Sequence, residues 1–366
     1  MTAPHDLGWM EMAYGLAEKA RGRTSPNPLV GAVVVRGGTL VGHGYHAEAG
    51  QPHAEILALG MAGRRARGAT LYLTLEPCVH WGRTPPCVDT VLGAGLTRIV
   101  VSAVDPNPII HTKGVRRLEE AGLDVTVGLL AERNAAINEA YVKHIVRRIP
   151  FVTLKAALTF DGKIACRTGD SKWITSAATR DYVHLFRGEQ DALMIGAGTL
   201  VADDPRLTVR HANWPGKKVL RAVLDPSLRF PESARLLGTL DRGPVLVFAG
   251  RDAPGPSAEA LRARGAEVLA PPNGAARWSL ERVLAELGRR DIAALLVEGG
   301  SRLFTSFVES GLADKAVLTY APLLAGGAAA PGFIGGAGAA AVAEAVRLQR
   351  TRAFSIGNDI VVEGYF

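Results

Sequence analysis

Twice along this chain, short apolar runs of strand length alternate with stretches of helical spacing, and Pro150 divides the two series. The first opens with PLVGAVVV from Pro28, turns at Gly37 and Gly38, and continues as LVGHGYH, the second arm of a hairpin. HAEILALGMAGRRA has helical spacing, and ATLYLTLEP reads as a strand stopped by Pro77. CVDTVLGAG is then a helix ended by glycines, RIVVSAVD a strand, VRRLEEAG a helix and DVTVGLL a strand. AERNAAINEAYVKHIVRR reads as one closing helix to Arg148. A hairpin followed by βαβαβ buries its strands in a mixed sheet with helices on both faces.

The second series restarts with FVTLKAALTFDGKIA, a strand and a polar turn. TSAATRDYVHLFRGE is a helix with Thr175 or Ser176 as N-cap, and DALMIGAGTL is a buried strand entering a glycine turn. KVLRAVLD, PVLVFA, AEVLA, AALLVEGG and KAVLTYAPLL read as strands, SRLFTSFVESG as a helix, and RAFSIGNDIVVEGYF as a terminal hairpin. The Gly/Ala content of GGAAAPGFIGGAGAAAVAEA suggests a flexible loop. Two α/β domains, 1–148 and 149–366, are therefore expected in the 366 residues.

Composition narrows the class. With 48% hydrophobic and 21% charged residues, wholesale disorder is excluded. No apolar run reaches the roughly 18 residues of a membrane span. The first residues carry Asp6, Glu11 and Glu18 and read as an amphipathic helix, not an export signal, so a cytoplasmic protein is expected. The net charge of +7 is scattered, apart from short clusters at Arg64, Arg65, Arg67 and at Arg147, Arg148. Such a surplus suits small phosphorylated substrates as well as a polyanion. Three cysteines, Cys78, Cys87 and Cys166, make a disulfide framework unlikely and reduced thiols the expectation. Cys166 reads as a packed thiol.

The chemistry concentrates in HAE at 53–55 and PCVHWGRTPPC at 77–87. His53, Cys78 and Cys87 are three ligands suited to a catalytic Zn²⁺ with its fourth position open to water. Each sits at or near the start of a helix, where partial positive charge favours thiolates. Glu55, two residues past His53, is close to such a metal but free of it. A carboxylate there can take a proton from the attacking water and hand it to a leaving amine, which implies hydrolytic deamination of an amidine-like carbon. The bland alternative is a structural zinc or buried thiols, with Glu55 on a solvated helix face.

These residues resemble the cytidine/deoxycytidylate deaminase superfamily, whose signature joins H-x-E to a Pro-Cys-x-x-Cys motif. Here eight residues separate the cysteines, which is similar to the riboflavin-biosynthesis deaminases, as are TSPNPLVGAVVV, GHGYH and VSAVDPNP. The resemblance covers about 130 residues. It implies that Asn27 and His46 contact the substrate near its pyrimidine ring. His80, between the cysteines, has either a substrate hydrogen bond or a non-catalytic role. The family carries glycine before the lysine of its DPNPxxxGKG motif; this chain has Thr112 before Lys113.

In the second series LKAALTFDGKIA, SKWITS, HLFRGEQDALMIGAGTLVADDPRLTVR and VEGGSRLFTSFVESGLADK resemble the reductase half of the bifunctional riboflavin-biosynthesis proteins. The implied fold is α/β: a cytidine-deaminase-like mixed-sheet domain followed by a dihydrofolate-reductase-like α/β domain. The resemblance implies NADPH contacts from Ala157, Trp173, Thr199, Asp203, Ser227, Gly299 and Gly300. It implies a substrate pocket lined by Lys155, Ser171, Arg187, Leu207, Arg210 and Glu298. Guanidinium groups bind phosphate bidentately, which suits Arg187 and Arg210 to a ribose phosphate. Asp161–Gly162 is a turn dipeptide or a sugar-orienting group, and Phe160 stands where the family commonly has leucine. No proton donor for the reduction stands out.

The resulting expectation is a zinc- and NADPH-dependent deaminase and reductase of a phosphorylated pyrimidine. It needs neither nucleic acid nor membrane, and it forms a homo-oligomer. Its rivals are a tRNA or single-stranded DNA base deaminase with an accessory domain, a deaminase carrying a non-catalytic NADP-binding domain, and a structural-zinc module.

Overall fold

The computed structural model describes residues 5–81 and 86–366, which form two compact units, 1–148 and 149–366. In the first unit α1 (Asp6–Ala17) precedes the hairpin β1 (Gly31–Arg36) and β2 (Thr39–Tyr45). Then come α2 (Ala54–Ala62), β3 (Thr70–Leu73), α3 (Cys87–Gly93), β4 (Arg98–Val101), α4 (Lys113–Glu120), β5 (Asp124–Val127), α5 (Ala131–Ile137) and α6 (Glu139–Arg147). The sheet order is β2-β1-β3-β4-β5, antiparallel across β2, β1 and β3 and parallel from β3 to β5.

Alternation along β1 explains the two helical layers. Ala32 and Val34 pack with Ala54, Ala58, Val88, Val91 and Leu118 of α2, α3 and α4, whereas Val33 and Val35 pack with Met10, Ala13 and Tyr14 of α1. The glycines of GHGYH let α2 lie directly on β2. A Cβ on Gly42 would fall 2.2 Å from the Ala58 carbonyl oxygen, and one on Gly44 would fall 2.6 Å from that of Ala54.

Several elements are shorter than the sequence suggests, among them the strands within ATLYLTLEP, RIVVSAVD and DVTVGLL and the closing helix. Past Leu73 the chain is held by side chains: Thr74 Oγ1 accepts the Gly31 N–H (3.0 Å) and the Thr74 carbonyl accepts from Asn134 Nδ2 (2.6 Å). The closing helix breaks at Asn138, whose backbone leaves the helical region at φ −111° and whose side-chain amide clamps Leu29. Oδ1 accepts the Leu29 N–H (2.7 Å) and Nδ2 donates to the Leu29 carbonyl (3.1 Å).

The second unit runs β6 (Phe151–Thr159), α7 (Ala177–Gly188), β7 (Ala192–Gly196), α8 (Ala197–Asp203), β8 (Leu220–Asp225), β9 (Val245–Ala249), α9 (Gly255–Ala263) and β10 (Glu267–Leu269). It ends with α10 (Leu280–Arg289), β11 (Ala294–Val297), α11 (Ser301–Glu309), β12 (Lys315–Ala321), β13 (Gln349–Ile356) and β14 (Asp359–Tyr365). The sheet order is β10-β9-β8-β7-β11-β6-β12-β14-β13, parallel through β12 and closed by the antiparallel terminal hairpin. Ala192 and Met194 face one core with Phe248 and Phe304; Leu193 and Ile195 face the other with Val223 and Leu200.

Ser176 is the cap of α7, accepting the Thr179 N–H at 3.3 Å. GAGT does not turn away from β7; it forms the end of the strand and the first turn of α8. The Gly/Ala-rich stretch carries a bridge from Lys163 to Gly332 and a short 3-10 turn, Val342–Glu344. Asp161 tethers its start, its carboxylate accepting the N–H groups of Ala325 (3.0 Å) and Gly326 (2.7 Å). Cys166 is exposed, which corrects its reading as a packed thiol. Phe160 is exposed as well. Among the described residues no helix is long and apolar enough to cross a membrane.

Candidate functional site

In the first unit the close seating of α2 on β2 fixes where the His53 cap of α2 and Glu55 in its first turn stand. Cys87 opens α3, and Cys78 leaves β3 through Glu76–Pro77, so three separate elements converge. His53 Nδ1 lies 3.1 Å from Cys87 Sγ and 3.7 Å from Cys78 Sγ, and the three ligand atoms fall within 4.8 Å of one another. For a tetrahedral zinc with nitrogen at about 2.0 Å and sulfur at about 2.3 Å, the N···S edge is about 3.5 Å. The donor set and its spacing therefore fit zinc.

Electrostatics agree with that use. The Cys87 thiol lying on Cys78 holds Cys78 well below the usual thiol range in spite of burial, and the same contact, with burial, raises Cys87. The hydrogen bond to Cys78 raises His53. Glu55 is 4% exposed; burial pushes its carboxyl up, while His53 pulls it back.

Asn27 and His46 adjoin this triangle. The His46 and His53 rings meet edge to face with centroids 5.2 Å apart. Asn27 Nδ2 stands 3.1 Å from His46 Nε2, and His46 Nδ1 stands 3.3 Å from the Pro52 carbonyl oxygen. An amide NH₂ can only donate, so Nε2 accepts and Nδ1–H donates to Pro52. Burial, which lowers the His46 pKa, favours that neutral ring. His80 is half-buried, and its Nδ1 has no hydrogen-bond partner among the described residues. Thr112 has φ +63°, the left-handed conformation that glycine adopts without cost, which explains why glycine is usual there. Lys113 is turned back onto its own loop, Nζ donating to the Ile109 carbonyl at 3.0 Å.

In the second unit Thr199, Ser227, Glu298, Gly299 and Gly300 follow the carboxyl ends of the parallel strands β7, β8 and β11, where open α/β sheets bind ligands. Leu154 pairs with Val297, so Lys155 and Glu298 follow side by side on β6 and after β11. Arg187 of α7 donates to both carboxylate oxygens of Glu298, at 2.6 and 2.5 Å, and to the Thr208 carbonyl at 3.3 Å. Burial lowers the Lys155 amine, while Glu298 draws it back up. Arg210 is held by Thr208 Oγ1 (2.7 Å) and by His184 Nε2 (2.8 Å). Burial and the guanidiniums of Arg187, Arg206 and Arg235 press its pKa down, a surplus of positive charge suited to a phosphate. A cavity of about 630 Å³ lined by Arg206, Arg210, Trp214 and Arg242 opens there.

Thr199 and Gly300 adjoin, since a Cβ on Gly300 would lie 3.4 Å from Thr199 Oγ1. Gly299 is the more confined, a Cβ there falling 2.7 Å from Leu303 Cδ2. Ala157 lies on the face of β6 shared with Lys155, and Ser227 is exposed just past β8. Ser171 Oγ donates to Asp203 Oδ1 at 3.2 Å. Trp173 is 71% exposed beneath the Arg180 guanidinium, 4.4 Å from its ring centroid. Leu207 sends its side chain into the core, leaving only its main chain for a ligand. Glu76, Asn138 and His184 are neighbours of these sites that sequence reasoning missed. Their partners lie far along the chain, and no local spacing signals them.

Residues 4–103 match the cytidine and deoxycytidylate deaminase zinc-binding region, and residues 150–362 match the RibD C-terminal domain. The riboflavin biosynthesis protein RibD of Aquifex aeolicus is 42% identical over 98% of this chain and 97% of its own. The chain belongs to the RibD family. RibD of Bacillus amyloliquefaciens is 40% identical over 96% of this chain and 94% of its own. The Acinetobacter baumannii RibD structure superposes with a TM-score of 0.88 at 34% identity, over 99% of this chain and 98% of that one. A Thermotoga maritima structure, described as a diaminohydroxyphosphoribosylaminopyrimidine deaminase/5-amino-6-(5-phosphoribosylamino)uracil reductase, matches with a TM-score of 0.86 at 34% identity, over 98% of each chain. As a RibD-family member the chain is a bifunctional deaminase and reductase of riboflavin biosynthesis, with a zinc-binding-type deaminase domain ahead of the reductase domain.

Proposed function

We propose that residues 1–148 deaminate 2,5-diamino-6-(5-phosphoribosylamino)pyrimidin-4(3H)-one and that residues 149–366 reduce the ribose of the product to ribityl with NADPH. The observation that carries the reading is the His53, Cys78 and Cys87 triangle with Glu55 buried beside it. Those three residues would hold zinc, which supplies a Lewis acid able to acidify water at neutral pH. Glu55 takes a proton from the attacking water and returns it to the leaving amine, and its burial suits it to carry that proton. Asn27 donates to His46, so its Oδ1 is left to accept from a ring amino group.

In the second unit Arg210 binds the phosphate end, while Arg187, whose Nε and Nη2 are held by Glu298, positions that carboxylate, with Lys155 beside the sugar. Ser171 lines the same pocket, and Leu207 contributes its main chain. Ala157, Trp173, Thr199, Asp203, Ser227, Gly299 and Gly300 form the cofactor edge, where NADPH supplies the hydride. Cytoplasmic residence and self-association belong to the same reading, the first supported by the free thiols.

Mass spectrometry of the diaminopyrimidine phosphate tests both steps. The zinc-loaded chain should add about one mass unit without NADPH and about two more with it. If neither change appears, the reading fails and a nucleic-acid base becomes the substrate to try.

A further inference from the structure

Glu76 is a 4% exposed carboxylate that the two reactions, as described, leave without a task. Its described partners are main-chain N–H groups. Oε2 accepts from Asp105 (3.1 Å) and Thr112 (3.0 Å), and Oε1 accepts from Val115 (3.0 Å). Val115 lies in the first turn of α4, whose own N-cap, Thr112, makes no side-chain cap bond. Glu76 is thus the cap of a helix to which it does not belong, and its charge faces the positive end of that helix. The contact is tight. A Cβ on Gly114 would fall 2.4 Å from the Pro77 carbonyl oxygen and 3.0 Å from Glu76 Cγ.

The next residues are Pro77 and Cys78. From the other side Cys78 is held by α3: its carbonyl accepts the Val88 N–H at 3.2 Å and its sulfur accepts the Cys87 N–H at 3.3 Å. The Cys78 sulfur therefore stands between two anchors, one of which is Glu76.

We infer that Glu76 is a positioning residue for the metal site: by clamping the 105–115 segment it fixes the main chain that aims Cys78 Sγ at His53 and Cys87. The inference rests on the proposed ligand set. Glu76→Gln keeps size and shape but sets an NH₂ against main-chain N–H donors on one side or the other, so at least one of the three bonds is lost. Groups that orient ligands in this way typically cost 10–100-fold in metal affinity when changed.

The test uses the full-length chain. Zinc affinity is measured by chelator competition, and cobalt is used as a probe whose thiolate charge-transfer band reports the sulfur geometry. Far-UV circular dichroism, with NADPH oxidation of supplied deaminated intermediate, shows that both units are folded. Glu76→Gln should bind zinc about 10–100-fold more weakly with an altered cobalt spectrum, while reduction stays at the parent rate. Gly114→Ala, which pushes α4 off Pro77 with the carboxylate intact, should reproduce the loss if Glu76→Gln folds poorly. Parent-like affinity and spectrum in both variants would overturn the inference. Parent-like affinity in Cys78→Ser would instead overturn the ligand set on which it rests.

Discussion

Arg187 grips Glu298 with two parallel hydrogen bonds, from Nε at 2.6 Å and from Nη2 at 2.5 Å, with both side chains less than 15% exposed. A buried fork of this kind stabilises little over an apolar pair, yet losing one member leaves the other charge uncompensated. Glu298→Gln should therefore cost about 3–5 kcal/mol in denaturant unfolding of the second unit. It should also slow reduction far more than deamination. Equal loss of both activities would count against the placement of this pair in the reductase pocket.

The same pocket sets an acid limit. Burial acts to raise Glu298, but Arg187 and Lys155 prevail and hold it at about 2, below its ordinary 4.5. Burial, with Arg187 and Arg210, lowers His184 from 6.5 to about 4. In both cases the unfolded chain takes up protons first. Stability is then full above about pH 6.5, falls through His184 towards pH 4, and falls further through Glu298 between about pH 4.5 and 2. Thermal denaturation against pH should show this decline, and His184→Asn should flatten its upper part. A profile that rises on acidification would contradict it.

Thr112 holds a β-branched side chain at φ +63°. Glycine there removes about 1–2 kcal/mol of left-handed strain and gives back about 0.5–1 kcal/mol of chain entropy. Thr112→Gly should stabilise the first unit by about 0.5–1 kcal/mol in denaturant titration. Destabilisation would mean that the hydroxyl bond to the His111 carbonyl (2.7 Å) outweighs the strain.

Asn138→Ala strips both main-chain groups of Leu29 of their partner. The cost should be about 1–3 kcal/mol in the first unit. Because Leu29 lies two residues from Asn27, KM for deamination should rise as well. An unchanged KM would separate the Leu29 clamp from the substrate pocket.

Much of this arrangement is legible in the sequence because its signals are local. His53 and Glu55 stand two apart, Cys78 and Cys87 flank one loop, and the alternation of β1 sorts its residues to two faces without help from elsewhere. Glu76, Asn138 and His184 are not legible. Each is an ordinary helix or strand-end residue until the fold brings Val115, Leu29 or Arg210 to it. The break at Asn138 shows the same limit, since helix propensity extends through a residue whose amide is engaged 109 positions away. GAGT was legible as glycine-rich but not as a helix start, because glycines mark close approach and turns alike.

On the proposed reading, one chain carries two chemically independent reactions, the first turning on Glu55. The direct measurement is ammonia release and NADPH oxidation by a Glu55→Gln chain of known zinc content. Zinc should stay at the parent level, and ammonia release should fall by roughly 10²–10⁴-fold. Oxidation of NADPH should continue at the parent rate when the deaminated intermediate is supplied. Ammonia release near the parent rate, with zinc in place, would contradict the account.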